Sequence, residues 1–260
     1  EISLLDTPGH VDFSSEMERT LQVLDYAILV ISARDGIQGH TETLWKLLDT
    51  YKIPTFLFIN KMDMPDTNKD NLLEELKERL SDNCLDFTVD HKNEEFLEHL
   101  AMCDEDLLNK YFELGSLNRA DISKAIKKRS IFPCYFGSAL KLEGVDTFIK
   151  GLKEFTKANI YPKDFGAKVF KIARDDSGNR LTFMKITGGS IKVKMPLSDK
   201  NNTWEEKIDQ IRIYSGAKYQ TVDGLKAGSI CAVTGLTKTF TGEGLGIERT
   251  IKKPLLEPVL

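Results

Sequence analysis

The stretch that decides the fold is YAILVISARDGIQGHTETLWKLLDTYKIPTFLFINKMD, residues 26–63. It begins with the almost wholly apolar run Tyr26–Ala33, whose β-branched residues are typical of a strand covered on both faces. Leu44 and Leu48 then follow at helical spacing, and Pro54–Ile59 is a second run of the buried-strand type. A strand, a helix and a strand in this order predict two parallel strands joined by a crossover helix.

The flanking sequence continues this alternation. Further strands are expected at Ile2–Leu5 and Ile131–Phe136. Helices are expected around Met17, Leu21 and Leu24, over 68–80, within the charged segment 94–129, and over Val145–Phe155. The first part of the chain is therefore predicted to be an α/β domain with a parallel sheet and helices on both faces.

The pattern changes near Asn159–Asp164, where Pro162 lies between polar residues. Short strand-like runs follow, at Ala167–Ile172, Arg180–Thr187, Ser190–Met195, Lys207–Tyr214 and Ser229–Val233. Turn residues separate these runs, which is typical of an all-β antiparallel barrel. We therefore predict two domains, residues 1–160 and residues 164–260.

Charge divides in the same way. The chain has 260 residues and a net charge of −4. Residues 1–163 hold 20 basic against 29 acidic residues, a net of −9, whereas residues 164–260 hold 16 against 11, a net of +5. Such asymmetry indicates two modules with different partners.

Composition excludes several classes of protein. The chain is 41% hydrophobic and 29% charged, as is ordinary for globular proteins and unlike disordered or collagen-like chains. No apolar run approaches the roughly 20 residues of a membrane helix, and no signal peptide opens the sequence. The four cysteines lack metal-site or disulfide spacing, so we expect a cytoplasmic protein with buried thiols.

The first candidate motif is Asp6-Thr7-Pro8-Gly9-His10. It follows a predicted strand, and ligands of open α/β sheets bind at the carboxyl ends of strands. Asp6 is suited to hold Mg²⁺ through water, and Gly9 lets its N–H approach a γ-phosphate. His10 would then orient an attacking water. The alternative interpretation is an ordinary turn.

The second candidate motif is Asn60-Lys61-Met62-Asp63, at the end of another predicted strand. The Asp63 carboxylate can accept two hydrogen bonds from the N1–H and N2–H₂ edge of guanine, and adenine lacks that donor pair. The Lys61 stem can cover the face of the base, and Asn60 can bridge the base and neighbouring loops. The alternative is a polar turn in which Asp63 caps a helix.

The third candidate motif is Gly137-Ser138-Ala139-Leu140, after the strand predicted at Ile131–Phe136. A small residue there lets a backbone N–H reach the O6 atom of guanine. By itself this motif is weak. Its value lies in the order of the three motifs, since each follows a predicted strand and supplies one element of guanine-nucleotide binding.

The stretch from DTPGH to NKMD, residues 6–63, closely resembles the GTPase domain of translational GTPases. The resemblance is best to elongation factor G and to the tetracycline-resistance ribosomal protection proteins. The segment RLTFMKITGGSIKVKMPL, residues 180–197, is similar to the first hairpin of their second domain, a small β-barrel. The fold expected is thus an α/β P-loop GTPase domain, incomplete at its N-terminus, followed by an antiparallel barrel.

The resemblance implies that His10 is the catalytic histidine and that residues 11–25 form the switch II helix. It implies GTP or GDP and Mg²⁺ as cofactors. The residues expected to bind GTP are Asp6, Thr7, Pro8, Gly9, Asn60, Lys61, Asp63, Ser138, Ala139 and Leu140. The expected partner is the ribosome, with small-subunit RNA facing the barrel and the GTPase-activating region of the large subunit facing the GTPase domain. We expect a monomer that does not bind membranes.

Different features of the sequence favour different branches of this family. Only 74 residues, 64–137, separate the second motif from Ser138, and this short spacing resembles the ribosomal protection proteins. Val11 and the NKMD motif itself resemble elongation factor G. The sequence favours a protein like those that confer tetracycline resistance, with elongation factor G proper as the alternative.

The phosphate-binding sequence GxxxxGK[ST] does not occur in these 260 residues, which open at Glu1 without a Met. We therefore expect the sequence to be a fragment of a GTPase, and the fragment itself to hydrolyse GTP poorly. Two other classes remain open. One is a non-catalytic ribosome-binding module that has lost its P-loop, and the other is a GTPase outside translation.

Overall fold

The computed structural model describes residues 2–7, 14–199 and 203–250 of the chain. These residues form two compact units. One unit is Leu24–Lys157, and the other combines the described residues of Glu1–Val23 and Ala158–Leu260.

The helices are α1 (Ser14–Leu21), α2 (Gly39–Thr50), α3 (Lys69–Arg79), α4 (Glu94–Met102), α5 (Glu105–Leu114), α6 (Arg119–Lys127) and α7 (Val145–Phe155). The strands of the first unit are β1 (Ala27–Ser32), β2 (Thr55–Asn60), β3 (Cys84–Asp86) and β4 (Phe132–Phe136). The strands of the second unit are β5 (Gly166–Arg174), β6 (Arg180–Gly188), β7 (Ser190–Lys192), β8 (Pro196–Ser198), β9 (Glu205–Lys207), β10 (Gln210–Ser215), β11 (Lys218–Val222), β12 (Gly224–Lys226), β13 (Ile230–Thr234) and β14 (Gly244–Gly246). None of the described helices is long and apolar enough to span a membrane.

The unit Leu24–Lys157 is built on a parallel sheet in the order β1-β2-β4-β3. Every residue of β4 is buried, and β2 is buried up to its last residue, because both strands have helices on each face. Alternate side chains of β2 enter two apolar clusters. Phe56 and Phe58 pack with residues of α4 to α7, whereas Leu57 and Ile59 pack with residues of α2 and α3. The predicted α/β fold with helices on both faces is thus confirmed.

The charged segment 94–129 is three helices. Asn93, Asp104 and Asn118 each accept a hydrogen bond from a backbone N–H in the first turn of the helix that follows, which is how polar N-caps satisfy otherwise unpaired donors. Gly115, in the left-handed conformation, ends α5. The helical interpretation is confirmed, with breaks at these caps.

The strand predicted at Ile2–Leu5 is wrong in this structure. Residues 2–7 have no strand conformation, and the side chains of Ile2 and Leu4 are 72% and 79% exposed. A β-strand forms only when it is hydrogen-bonded to a neighbouring strand. Among the described residues β1 pairs only with β2, so residues 2–5 do not pair with it. An apolar run of four residues does not by itself supply such a neighbour.

The second unit is antiparallel, as predicted. Its six-stranded sheet has the order β11-β10-β13-β6-β5-β14, and two short ladders join β12 to β7 and β8 to β9. The ladder between β5 and β6 shifts register at Val169/Lys171, and such a bulge increases the local twist of a sheet. The core beneath the sheet consists of alternate strand residues, including Met184, Ile186, Ile211 and Val233.

Helix α1 also belongs to this antiparallel unit. Met17, Leu21 and Val23 are buried, and the Lys185 ammonium on β6 donates a 2.9 Å hydrogen bond to the Val23 carbonyl. These contacts hold the end of α1 and its following turn against the sheet. The domain limits 1–160 and 164–260 stay a sequence-based prediction.

Candidate guanine-nucleotide site

The loops that follow β2 and β4 meet at the carboxyl edge of the parallel sheet. Ile59 lies opposite Phe136 in the ladder, so the two strands end at the same level. Two backbone hydrogen bonds extend the pairing into the loops, from Gly137 N to Ile59 O at 3.0 Å and from Met62 N to Gly137 O at 3.1 Å. The second and third sequence motifs are therefore brought together, as expected from neighbouring parallel strands.

Asn60 joins three strand ends at this edge. Its side-chain oxygen accepts a hydrogen bond from Lys61 N at 2.8 Å and another from Ala139 N at 2.9 Å. Its backbone carbonyl accepts one from Ala33 N at 2.8 Å, just beyond β1. The Asn60 side chain thus bridges the loops of the second and third motifs, and its predicted contact with the base stays a prediction.

Lys61 has a backbone conformation that is uncommon outside glycine, with φ of +65°. The hydrogen bond from its N–H to the Asn60 side chain accompanies this conformation. The Lys61 side chain is about half exposed, and its ammonium lies 4.0 Å from the carboxylate of Asp35 in the loop after β1. The stem of Lys61 is therefore accessible at the rim of the site.

Asp63 is held between two side chains of the loop after β4. A hydrogen bond from the Ser138 side chain is the largest cause that lowers the pKa of the Asp63 carboxyl, and Lys141 adds to the shift through its charge. The Lys141 ammonium lies 3.5 Å from the Asp63 carboxylate, whose side chain is only 14% exposed. The lowered pKa keeps the Asp63 carboxylate ionised to lower pH than an ordinary aspartate, and the ionised form is the state that recognition of two N–H donors requires.

The loop after β4 closes on itself in a tight hairpin. Ser138 and Glu143 exchange two backbone hydrogen bonds, at 2.9 and 3.0 Å. The flanking glycines permit this closure, because a Cβ on Gly137 would overlap the Glu143 carbonyl and one on Gly144 would overlap the Phe136 carbonyl. The site thus contains a rigid support for residues 138–140.

The members of the third motif are placed differently. Ser138 is buried, and its Oγ also accepts a hydrogen bond from Lys141 N at 3.3 Å. Ala139 turns its N–H toward Asn60, and Leu140 is 90% exposed. Sequence reasoning did not identify Lys141, Asp35 or the closing residue Glu143. Lys141 and Glu143 lie within three positions of the third motif, which is the one signal the sequence offers for them, whereas Asp35 lies near none of the three motifs.

The first motif is described only in part. Asp6 is exposed and Thr7 is half-buried, and both belong to the other compact unit. Pro8, Gly9 and His10 lie outside the described residues, as do Val11 and the start of the expected switch II segment. The roles of these residues in catalysis and phosphate binding stay predictions.

The chemistry of Asp6 bears on the expected magnesium ion. The described residues contain no cluster of three or more His, Cys, Asp or Glu side chains able to hold a metal ion. In phosphate sites, however, Mg²⁺ takes only one or two protein carboxylates and completes its coordination with water and phosphate oxygens. The exposed carboxylate of Asp6 fits that mode of binding.

A parallel sheet with these strand-end loops, followed by an antiparallel sheet unit, has the architecture of a GTPase domain joined to a β domain. Two family models match the chain. One is described as the elongation factor Tu GTP binding domain and matches residues 1–158, and the other is described as elongation factor G domain 2 and matches residues 164–246. The chain belongs to the elongation-factor family of GTP-binding domains, and its resemblance to elongation factor G is confirmed.

A curated relative and a solved structure are similar over nearly the whole chain. Elongation factor G of Mycoplasma pneumoniae is 28% identical over 311 residues, covering 94% of this chain and 45% of the relative. A crystal structure of a Thermus thermophilus protein has a TM-score of 0.83 at 20% identity, covering 98% of this chain and 46% of that one, and it shares the fold. The chain therefore spans a little under half the length of both.

Proposed function

We propose that the protein containing this chain binds GTP and GDP with Mg²⁺ and hydrolyses GTP as a translation factor on the ribosome. The observation that carries the proposal is the corner formed by the second and third motifs. Asn60 joins the two loops there, and Asp63 is kept ionised at their rim. Membership of the elongation-factor family supports the same activity.

Recognition of the base rests on the donors that guanine presents. Asp63 accepts hydrogen bonds from N1–H and N2–H₂, and the Lys61 stem covers the face of the base. The N–H groups of Ser138 and Ala139 already donate to Glu143 O and Asn60 Oδ1, so the donor proposed for the edge of the base in the loop Ser138–Leu140 is the Leu140 N–H. Hydrogen bonds to charged groups contribute roughly 1.5–3 kcal/mol each. A nucleotide without the paired donors leaves the carboxylate unpaired, so such a site discriminates strongly.

Hydrolysis would use the first motif. Water attacks the γ-phosphorus of GTP, the bond to the bridging oxygen breaks, and GDP and inorganic phosphate leave. His10 orients the water, the Gly9 N–H approaches the γ-phosphate, and Asp6 helps to hold Mg²⁺ through water. When bound, Mg²⁺ neutralises charge on the phosphate oxygens.

The proposed partner is the ribosome. Residues 164–260 carry a net charge of +5, and contacts to RNA phosphates come from Lys and Arg. We assign this antiparallel unit to small-subunit RNA and the GTPase unit to the GTPase-activating region of the large subunit. The protein would act as a monomer in the cytoplasm, where ribosomes are.

Two activities on the ribosome are candidates. The spacing of 74 residues between the second motif and Ser138 favours a protein that protects the ribosome from tetracycline. The NKMD motif and the similarity to elongation factor G of Mycoplasma pneumoniae favour translocation of tRNA. Expression in a tetracycline-sensitive host separates the two, since only a protection protein raises the inhibitory concentration of the drug.

The experiment that tests the proposal measures GTP hydrolysis by the full-length protein with and without ribosomes. Ribosomes should stimulate hydrolysis, and His10→Ala should remove most of the stimulation while GTP still binds. His99→Ala, an exposed histidine on α4, is the matched control and should behave like the wild type. Ribosome binding without hydrolysis would instead identify a non-catalytic module, and nucleotide binding without ribosome association would identify a GTPase outside translation.

A further inference from the structure

We propose that Lys141 is a positioning residue for guanine recognition, holding the Asp63 carboxylate in place and in its ionised form. This inference rests on the proposed function, because it assumes that Asp63 binds the base. It concerns a residue outside the three sequence motifs, since Lys141 follows Leu140 in the loop after β4.

The geometry supports an electrostatic clamp. The Lys141 ammonium lies 3.5 Å from Asp63 Oδ2, and the Asp63 side chain is largely shielded while Lys141 is half exposed. Ser138 acts on the same carboxylate, since hydrogen bonding by its side chain is the largest cause that lowers the pKa of Asp63. A carboxylate has about four lone-pair positions, so two partners leave acceptors for the two donors of guanine.

The loop that presents Lys141 is well defined. The backbone N–H of Lys141 donates to Ser138 Oγ at 3.3 Å, inside the hairpin closed by Ser138 and Glu143. These hydrogen bonds fix the backbone from which the Lys141 side chain extends toward Asp63. Asp63 is therefore positioned by Ser138, which belongs to the third motif, and by Lys141, which follows that motif in the same loop.

The charges around Asp63 define the expected pH dependence. Lys141 and Ser138 face it from the loop after β4, whereas Lys61 lies in the same loop as Asp63 and pairs with Asp35. The remaining charged side chains of the two loops are Asp66 and Glu143. Lys141 is the cation whose charge lowers the pKa of Asp63, so its removal moves that pKa upward.

The test measures the affinity of the full-length protein for a fluorescent GDP analogue from pH 8 down to about pH 2.5, because the pKa of Asp63 lies below its ordinary value of 3.8. Protonation of Asp63 abolishes recognition, so wild-type affinity falls only at acid pH. Lys141→Gln should weaken binding by about two- to fivefold at pH 7, as for an exposed ion pair, and should shift the acid limb to higher pH. Lys141→Arg should restore the wild-type profile.

Controls separate this inference from the proposed function. Lys153→Gln, an exposed lysine on α7, should leave the profile unchanged. A uniform loss of affinity at all pH values in Lys141→Gln, without movement of the acid limb, would overturn the positioning role. If the wild type binds no GDP, the proposed function itself is wrong. If the wild type binds and Lys141→Gln matches it throughout, only the role of Lys141 is wrong.

Discussion

The loops after β2 and β4 and the described residues 2–7 around Asp6 both contain parts of recognisable motifs, but the described surroundings of the two regions differ. In the first region, strand ladders and the side chain of Asn60 place two motifs against each other. In the second, residues 2–7 lie outside any strand, with Ile2 and Leu4 exposed. The described residues before the first motif therefore have no strand ladder beside them, whereas the strands before the other two motifs pair with each other.

The largest expected effect is at Asp63. Asp63→Asn replaces an acceptor by a group that presents a donor, so GDP binding should weaken by about 10³-fold or more, while xanthosine diphosphate should gain affinity. Competition between the two nucleotides for the full-length protein measures this exchange. Unchanged preference for GDP would show that the corner does not read the base.

The second prediction compares the two regions by stability. Leu57 is fully buried in β2, so Leu57→Ala should lower the free energy of unfolding by about 2–5 kcal/mol. Leu4→Ala should change it by less than about 0.5 kcal/mol, because Leu4 is exposed. Urea denaturation of the 260-residue chain gives both values. A large loss at Leu4 would mean that the apolar run is buried after all.

Comparison of the strands and helices with the sequence shows which of them the hydrophobic pattern predicts and which it misses. β1, β2, β4 and α7 are long, strongly patterned segments that the sequence located nearly to the residue. β3 was missed, because Cys84–Asp86 is only three residues and becomes a strand through its ladder with β4. The three-residue strands β8, β12 and β14 were missed for the same reason, and of β9 only Lys207 lay in a predicted run. The five-residue strand β11 was missed as well.

The residues of the candidate site likewise divide into those that the sequence pattern predicts and those that it does not. The hydrophobic pattern placed Asn60, Asp63 and Ser138 at the ends of buried strands, where the structure has them, and their roles in binding stay predictions. It did not locate Lys141, whose contact with Asp63 depends on a loop closed by Glu143. The closure of this loop depends on backbone hydrogen bonds formed in the folded protein, so the local sequence pattern does not predict it.

The third prediction concerns the support of the loop after β4. Gly137→Ala would place a methyl group against the Glu143 carbonyl, so it should destabilise the chain by about 1–3 kcal/mol and weaken GDP binding. Gly39→Ala, at the start of α2, is the matched control because a Cβ there meets nothing within 4 Å. Thermal unfolding of both variants decides the point, and equal melting temperatures would contradict a tight loop.

The fourth prediction extends the comparison to the antiparallel unit. A hydrogen bond with Arg212, at 2.9 Å, is the main reason that the pKa of Asp175 falls to about 2. Since the pKa is lower in the folded state, Asp175 stabilises the fold above its ordinary pKa of about 3.9. That contribution is lost as pH falls toward 2.

Measurements of unfolding free energy between about pH 5 and pH 2 test this contribution. Asp175→Asn should flatten the decline in stability relative to the wild type, whereas Asp176→Asn, at the exposed neighbouring position, should retain the wild-type slope. Identical slopes in the wild type and in Asp175→Asn would show that the pair with Arg212 does not set the acid sensitivity.

The most direct test of the central claim is the relative affinity of the full-length protein for GDP, ADP and xanthosine diphosphate by titration calorimetry. The arrangement of Asn60, Asp63 and Ser138 predicts that GDP binds at least about 10³-fold more tightly than either of the other two. Equal affinity for GDP and ADP, or binding of neither, would contradict guanine recognition at this site.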